Sequence, residues 1–189
     1  MAVKNNNADN VAVGKPKSGG AVFVAPKGTA LPTDATSTLN DAFANTGYIS
    51  EDGVSNEIET DSEEIKAWGG DIVATPQTSY SEKYSMTFIE QREEPMKIVF
   101  GAENVTSGGN GALTVKHNSV EKDEFCYVIE TLIGKNKIKR TVIPRGKCIE
   151  VGEIVYKDDE AVGYETTVQA LPDAEGNTSY EYTALIVGA

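Results

Sequence analysis

The sequence is short of the residues on which most enzyme chemistry rests. It has one histidine, two cysteines, three methionines and one tryptophan in 189 residues. Two cysteines cannot build a disulfide framework, and a four-ligand zinc site would need more Cys or His than the chain offers. Cations are scarce too. Lys plus Arg is 17 against 29 for Asp plus Glu, a formal net charge of −12. That balance argues against an ordinary nucleic-acid binder, which needs a basic patch to release counterions from phosphates. It also disfavours docking on anionic lipid. No run approaches 18 apolar residues, so no transmembrane helix is expected. Met1 to Gly20 lacks the apolar core of a signal peptide. The expected setting is therefore a cytoplasm, with Cys126 and Cys148 reduced and packed as small hydrophobes.

What is present is a strand-rich chain. Its length predicts one domain with arms, at about 150 residues per domain. Residues 1–20, punctuated by Asn5, Asn6, Asn7, Gly14, Pro16, Gly19 and Gly20, read as a flexible N-terminal arm, and 21–189 as the single domain. With no apolar core position in it, the arm is expected to be removable at little cost to the fold. Thr36 to Phe43 could hold a short helical turn. Tyr80 to Glu90 alternates most clearly, with Tyr84, Met86 and Phe88 on one face. Six further strands are expected at 113–117, 124–133, 137–143, 147–156, 163–171 and 179–187. Pro144-Arg145-Gly146 and similar clusters are the turns between them. Strands at roughly ten-residue spacing argue a β-sandwich or barrel. One short helix, about 92–100, has acids at its start, Pro95 in its first turn and Gly101 after its end. Between the early strands, about 59–78 reads as a long acidic loop around Trp68.

Little here points to catalysis. His117 has no fixed Asp or Ser partner. Glu57, Glu59, Asp61, Glu63 and Glu64 are dense enough to suggest calcium or paired catalytic carboxylates, but the D-x-D-x-D-G spacing is missing and nothing sets a carboxylate separation. A solvated or interface-facing charge run is the simpler reading. Gly108-Gly109-Asn110-Gly111 lacks the following Lys-Ser/Thr of a phosphate cradle. Asn104-Val105-Thr106 and Asn177-Thr178-Ser179 fit the glycosylation pattern but have no secretory context. No catalytic, cofactor or metal residues are assigned. Trp68 has two readings of equal weight: an anchor for a partner's pocket, or a side chain folded back on its own sheet.

Several stretches, in one order along the chain, resemble the major tail (tail tube) proteins of long-tailed, non-contractile bacteriophages. They are 25–35 (Ala25-Pro26-Lys27-Gly28 to Ala35), 47–54 (Gly47-Tyr48-Ile49-Ser50 to Val54) and 63–71 (Glu63-Glu64-Ile65 to Asp71). Later come 143–152 (Ile143-Pro144-Arg145-Gly146 to Gly152), Gly163-Tyr164-Glu165 and 172–177. The resemblance covers about residues 21–187.

The resemblance implies a small β-sandwich or β-barrel with one flanking helix and extended arms. Hexameric rings of it would stack head to tail into a tube that delivers viral DNA without binding it specifically. It implies tape measure, terminator and tail-tip proteins as partners, and no membrane. The long loop would reach the next ring, which makes Glu59, Asp61, Glu63, Glu64, Ile65, Trp68 and Asp71 the stacking residues. The net acidity suits a lumen that repels phosphate. Glu57, Glu59, Glu82 and Glu90 are the acids offered for that wall. An Hcp-like or contractile-tail tube subunit, or a cytoplasmic β-sandwich binding module, are the alternatives.

Overall fold

The computed structural model describes residues 11–134 and 136–186. Its strands are β1 (Gly14–Pro16), β2 (Val22–Pro26), β3 (Ala44–Asn45), β4 (Ile49–Ser62), β5 (Ile65–Lys66), β6 (Ile72–Ala74) and β7 (Gln77–Phe88), followed by β8 (Val105–Gly109), β9 (Ala112–Val115), β10 (Glu124–Ile133), β11 (Lys137–Val151), β12 (Tyr164–Ala170) and β13 (Tyr180–Leu185). The helix α1 (Glu93–Phe100) lies between β7 and β8. The main sheet runs β3-β2-β10-β11-β12-β7-β4, with β1 added to β10 and β13 to β11. Every pairing described is antiparallel. The expected mainly-β fold with one flanking helix is the one observed.

Strand β10 shows why the sheet is stable. Tyr127 and Ile129 point into the main core with Val22, Val24, Met86, Phe88 and Val168. Cys126 and Val128 point the other way, into a smaller core with Ala25, Phe43 and Val142. Both faces are covered, so the strand reads as a near-continuous apolar run. The second face is closed by segment 27–43, through Leu31, Leu39 and Phe43. No helical turn forms at Thr36–Phe43, contrary to the sequence expectation. The Asp34 carboxylate instead accepts the backbone N–H groups of Ser37 and Thr36, both at 2.6 Å. This local turn competes with a helix. The Ser37 and then the Thr36 amide bonds hold the Asp34 pKa down at about 2.

The Pro144-Arg145-Gly146 cluster, expected as a turn, lies inside one continuous strand. Up to Val142, β11 pairs with β13; from Gly146 it pairs with β12. The register against β10 shifts between Phe125 and Tyr127, opposite Pro144 and Arg145. Proline, lacking an N–H, is tolerated at such a bulge, and the bulge turns the corner between two parts of the sheet. Gly146 completes the corner. A Cβ there would sit 2.5 Å from the Tyr127 ring and 2.8 Å from Val168.

Helix α1 begins within a residue of its expected start. Glu93 pairs with Lys97 at 2.6 Å, and Gly101, at φ 94°, caps the end by donating its N–H to the Lys97 carbonyl. Met96, Ile98 and Val99 are buried in the main core. Phe100 packs its ring 4.4 Å from that of the exposed His117 and edge-on to Tyr164.

The first ten residues of the expected arm lie outside the described residues. The rest is not loose: Gly14–Pro16 forms β1 against Thr131–Ile133. Lys17 Nζ lies 2.6 Å from Glu130 Oε2. Glu130 in turn faces Arg140 across the β10–β11 pair, and both side chains are 2 % exposed. Arg140 Nε donates to Glu130 Oε1 at 2.9 Å, and its Nη1 donates to the Asp34 carbonyl at 2.8 Å. One charged network thus ties arm, sheet and covering segment together. A buried pair of this kind needs such extra hydrogen bonds to offset its desolvation.

Candidate functional site

Strands β4 and β7 continue well past the core. Their register runs from Val54 opposite Met86 out to Ser62 opposite Gln77. At the far end β5 and β6 form a small second ladder, Ile65 opposite Ala74 and Lys66 opposite Ile72. The Glu63 N–H donates to the Pro76 carbonyl at 3.0 Å, joining the two ladders. The Ala67 N–H donates to the Asp71 carbonyl at 2.8 Å and closes the tip around Gly69 and Gly70. The segment expected as a long loop is therefore a long hairpin. Its strands have no buried face, so hydrophobic alternation, the usual sequence signal, is absent.

All seven residues expected to make the stacking contact lie on this outer half. Glu59 and Asp61 are on β4, Ile65 on β5, Trp68 at the tip and Asp71 just before β6, and Glu63 and Glu64 link β4 to β5. Trp68 is fully exposed and does not fold back on the sheet. Ile58, Ile65, Ile72, Val73 and Tyr80 are also exposed. Apolar side chains gathered on a projecting element mark an interaction site. The acids around them are solvated. Asp61 accepts from the Ser79 hydroxyl at 2.7 Å, and Glu64 sits 3.3 Å from Lys66.

The two faces of the hairpin differ. Glu57, Glu59, Ser81 and Lys83 share one face, with Lys83 Nζ 2.8 Å from Glu59 Oε2. That hydrogen bond is the main reason the Lys83 pKa is raised. Asn56, Ile58, Tyr80, Glu82 and Tyr84 share the other. Glu82 was offered for a channel wall, but it is 3 % exposed. Its carboxylate accepts from Asn56 Nδ2 at 2.9 Å, the Tyr84 hydroxyl at 2.7 Å and the Ser179 hydroxyl at 3.0 Å, and also from Thr178. Burial pushes its pKa up; the hydroxyl and amide donors outweigh that and leave it below the usual carboxylate range. Glu82 is thus a structural node binding the hairpin root to the segment before β13. Glu90 is also engaged, accepting the Tyr48 N–H at 2.8 Å. Glu57 and Glu59 remain exposed.

Other carboxylates are tied to the fold. Glu124 accepts from Arg145 Nε at 2.9 Å and lies 2.8 Å from Lys27, which hold its pKa down at about 2. Cys126 and Cys148 are free and buried, and burial pushes both thiols up. Among the described residues no group of three or more His, Cys, Asp or Glu is placed to hold a metal ion. No helix there is long and apolar enough to cross a membrane. The Lys17–Glu130–Arg140 network was missed by sequence reading, since nothing local links positions 17, 34, 130 and 140.

The fold is thus an antiparallel β-domain that sends a long hairpin, tipped with tryptophan and isoleucine, into solvent. The chain belongs to the phage tail tube protein family, whose model matches residues 4–184. It is thus a structural component of a phage tail. No curated protein matches the sequence. Among solved structures, the cap that terminates the tube of the anti-feeding prophage is similar over 97 % of this chain and 100 % of that one, at 14 % identity and a TM-score of 0.46.

Proposed function

We propose that this chain is the tube subunit of a long, non-contractile phage tail, and that hexameric rings of it stack head to tail around a channel for viral DNA. The observation that carries this reading is the projecting hairpin with its uncovered apolar tip, inside a family of tail tube proteins. A contact between unlike surfaces that does not close on itself propagates as a filament; one that closes gives a ring. A tube uses both. The hairpin supplies the contact along the axis, through Glu59, Asp61, Glu63, Glu64, Ile65, Trp68 and Asp71.

A lumen with net negative charge lets phosphate slide, where a basic wall would hold it through many counterion-releasing contacts. Glu57 and Glu59 are the two acids, of the four first considered, whose exposure suits that wall. Tape measure, tail terminator and tail-tip proteins are the further partners, and assembly takes place in the host cytoplasm. Negative-stain electron microscopy of the concentrated full chain, from low to high salt, tests the reading. Rings or tubes with a central hole and six-fold views are expected, and salt should favour them because copies carrying −12 repel one another. Small featureless particles at every salt, with or without a tail-tip complex to start growth, would count against it.

A further inference from the structure

The end of the β4–β7 pair opposite the hairpin tip holds a cleft of about 970 Å³. Its walls come from residues 14–21, 47–54 and 90–92, together with parts of β10, β11 and β13. Tyr48, 74 % exposed, stands at its mouth, and Ile49 and Val54 are half-buried in its wall. We infer that this cleft is the seat for the hairpin tip of a second copy of the same chain. This rests on the tube reading and adds to it the receiving surface.

Three observations meet here. The first is placement. The tip and the cleft occupy opposite ends of one strand pair, because Ser62 opposite Gln77 leads to the tip and Ile49 opposite Phe88 borders the cleft. From Val54 to Ser62 the paired strand runs eight steps, roughly 26 Å at about 3.3 Å per residue, and the tip lies beyond it. A shift of one copy along its own strand axis carries its tip to the other copy's cleft, and the same shift repeats without end. The second is size. The cleft lies within the roughly 300–1,000 Å³ range of sites that enclose a ligand, room for the Trp68 indole and a neighbouring isoleucine.

The third is charge. Residues 61–73 carry Asp61, Glu63, Glu64 and Asp71 against Lys66 alone. The cleft has as many cations as acids, Lys15, Lys17, Arg92 and Lys139 against Glu51, Asp52, Glu90 and Glu181, in a chain of −12 overall. Lys17, Arg92 and Lys139 are already paired, with Glu130, Glu90 and Glu181; among the described residues, Lys15, Glu51 and Asp52 in the cleft have no ion-pair partner, and neither do Glu63 and Asp71 at the tip. Trp68 in the apolar wall puts Glu63 or Asp71 of the tip on Lys15, the one unpaired cation of the cleft among the described residues.

The test places a photo-crosslinking p-benzoyl-phenylalanine at position 68, and in a second variant at position 73, in the full chain. Assembled material is irradiated, adducts are mapped by mass spectrometry, and the particles are imaged. Adducts between copies on residues 14–21 or 48–54 are expected. Adducts elsewhere in particles that are tubes overturn the cleft and leave the tube reading intact. Particles that stay monomeric, with adducts only within one chain, overturn both. A charge exchange gives an independent measure. Lys15→Glu should raise the protein concentration needed for tubes about threefold, the scale of one exposed ion pair, and Glu63→Lys in the same chain should restore it. An unchanged threshold in Lys15→Glu would refute the pairing.

Discussion

Trp68→Ala separates folding from assembly. The indole is fully exposed, so its removal takes no contact from the subunit's own core. Surface substitutions of this kind fall within about 0.5 kcal/mol. For a chain of this size that moves Tm by about 2 °C at most. In a tube the same side chain would be covered. A tryptophan buries roughly 150–250 Å², and at about 25 cal/mol per Å² the upper limit is some 4–6 kcal/mol. Interface anchors commonly cost about 2 kcal/mol or more on truncation, an approximately thirtyfold weaker contact for each subunit. The assay is paired. Sedimentation gives the concentration at which rings or tubes appear, and calorimetry of the unassembled chain gives Tm. The expected outcome is a threshold at least thirtyfold higher with Tm unmoved. A Tm loss of many degrees would mean that the tip is held by its own fold, and an unchanged threshold would remove Trp68 from the interface.

The buried network makes three further predictions. Arg140→Met leaves the Glu130 carboxylate buried and short of its main partner, and should cost about 3–5 kcal/mol, read as a fall in the urea midpoint at constant slope. Adding Glu130→Leu should recover most of it, which an ordinary packing defect would not allow. Lys17→Met removes a charged bond from a half-exposed lysine and should cost about 1 kcal/mol. Deleting residues 1–20 also takes β1 away, so Tm should fall by several degrees, against the sequence-based expectation of no change. Low pH should destabilise the fold for a nameable reason. Asp34 and Glu124 have folded pKa values near 2, below their ordinary values of 3.8 and 4.5. Depressed carboxylates lend stability above the unfolded value and lose it as pH falls through the folded one. Stability should therefore drop between about pH 4.5 and 2, and Glu124→Gln should make urea midpoints at pH 5 and pH 3 differ less than in the parent chain.

Much of this protein is written locally. Strand β10 is bounded in the sequence by its own apolar run. Helix α1 follows from two acids, an early proline and a closing glycine, and the acidic balance is a matter of counting. The ordered motifs pointed to tail tube proteins, and the family match agrees. Periodicity carries such information because it reports which face of an element is covered. Where an element has no covered face the signal vanishes, and the outer half of the β4–β7 hairpin, about 59–78, read as a loop for that reason. Other features depend on partners far apart in the chain. Alternation puts Glu82 on the core face of its strand as a polar exception, and only the approach of Thr178 and Ser179 shows how a carboxylate is accommodated there. Pro144 signals a turn by itself, and only β12 and β13 meeting the same strand on either side of it make it a corner. The arm read as loose because Gly14–Pro16 and Lys17 carry no apolar signal, and the carboxylate Lys17 meets lies 113 positions away.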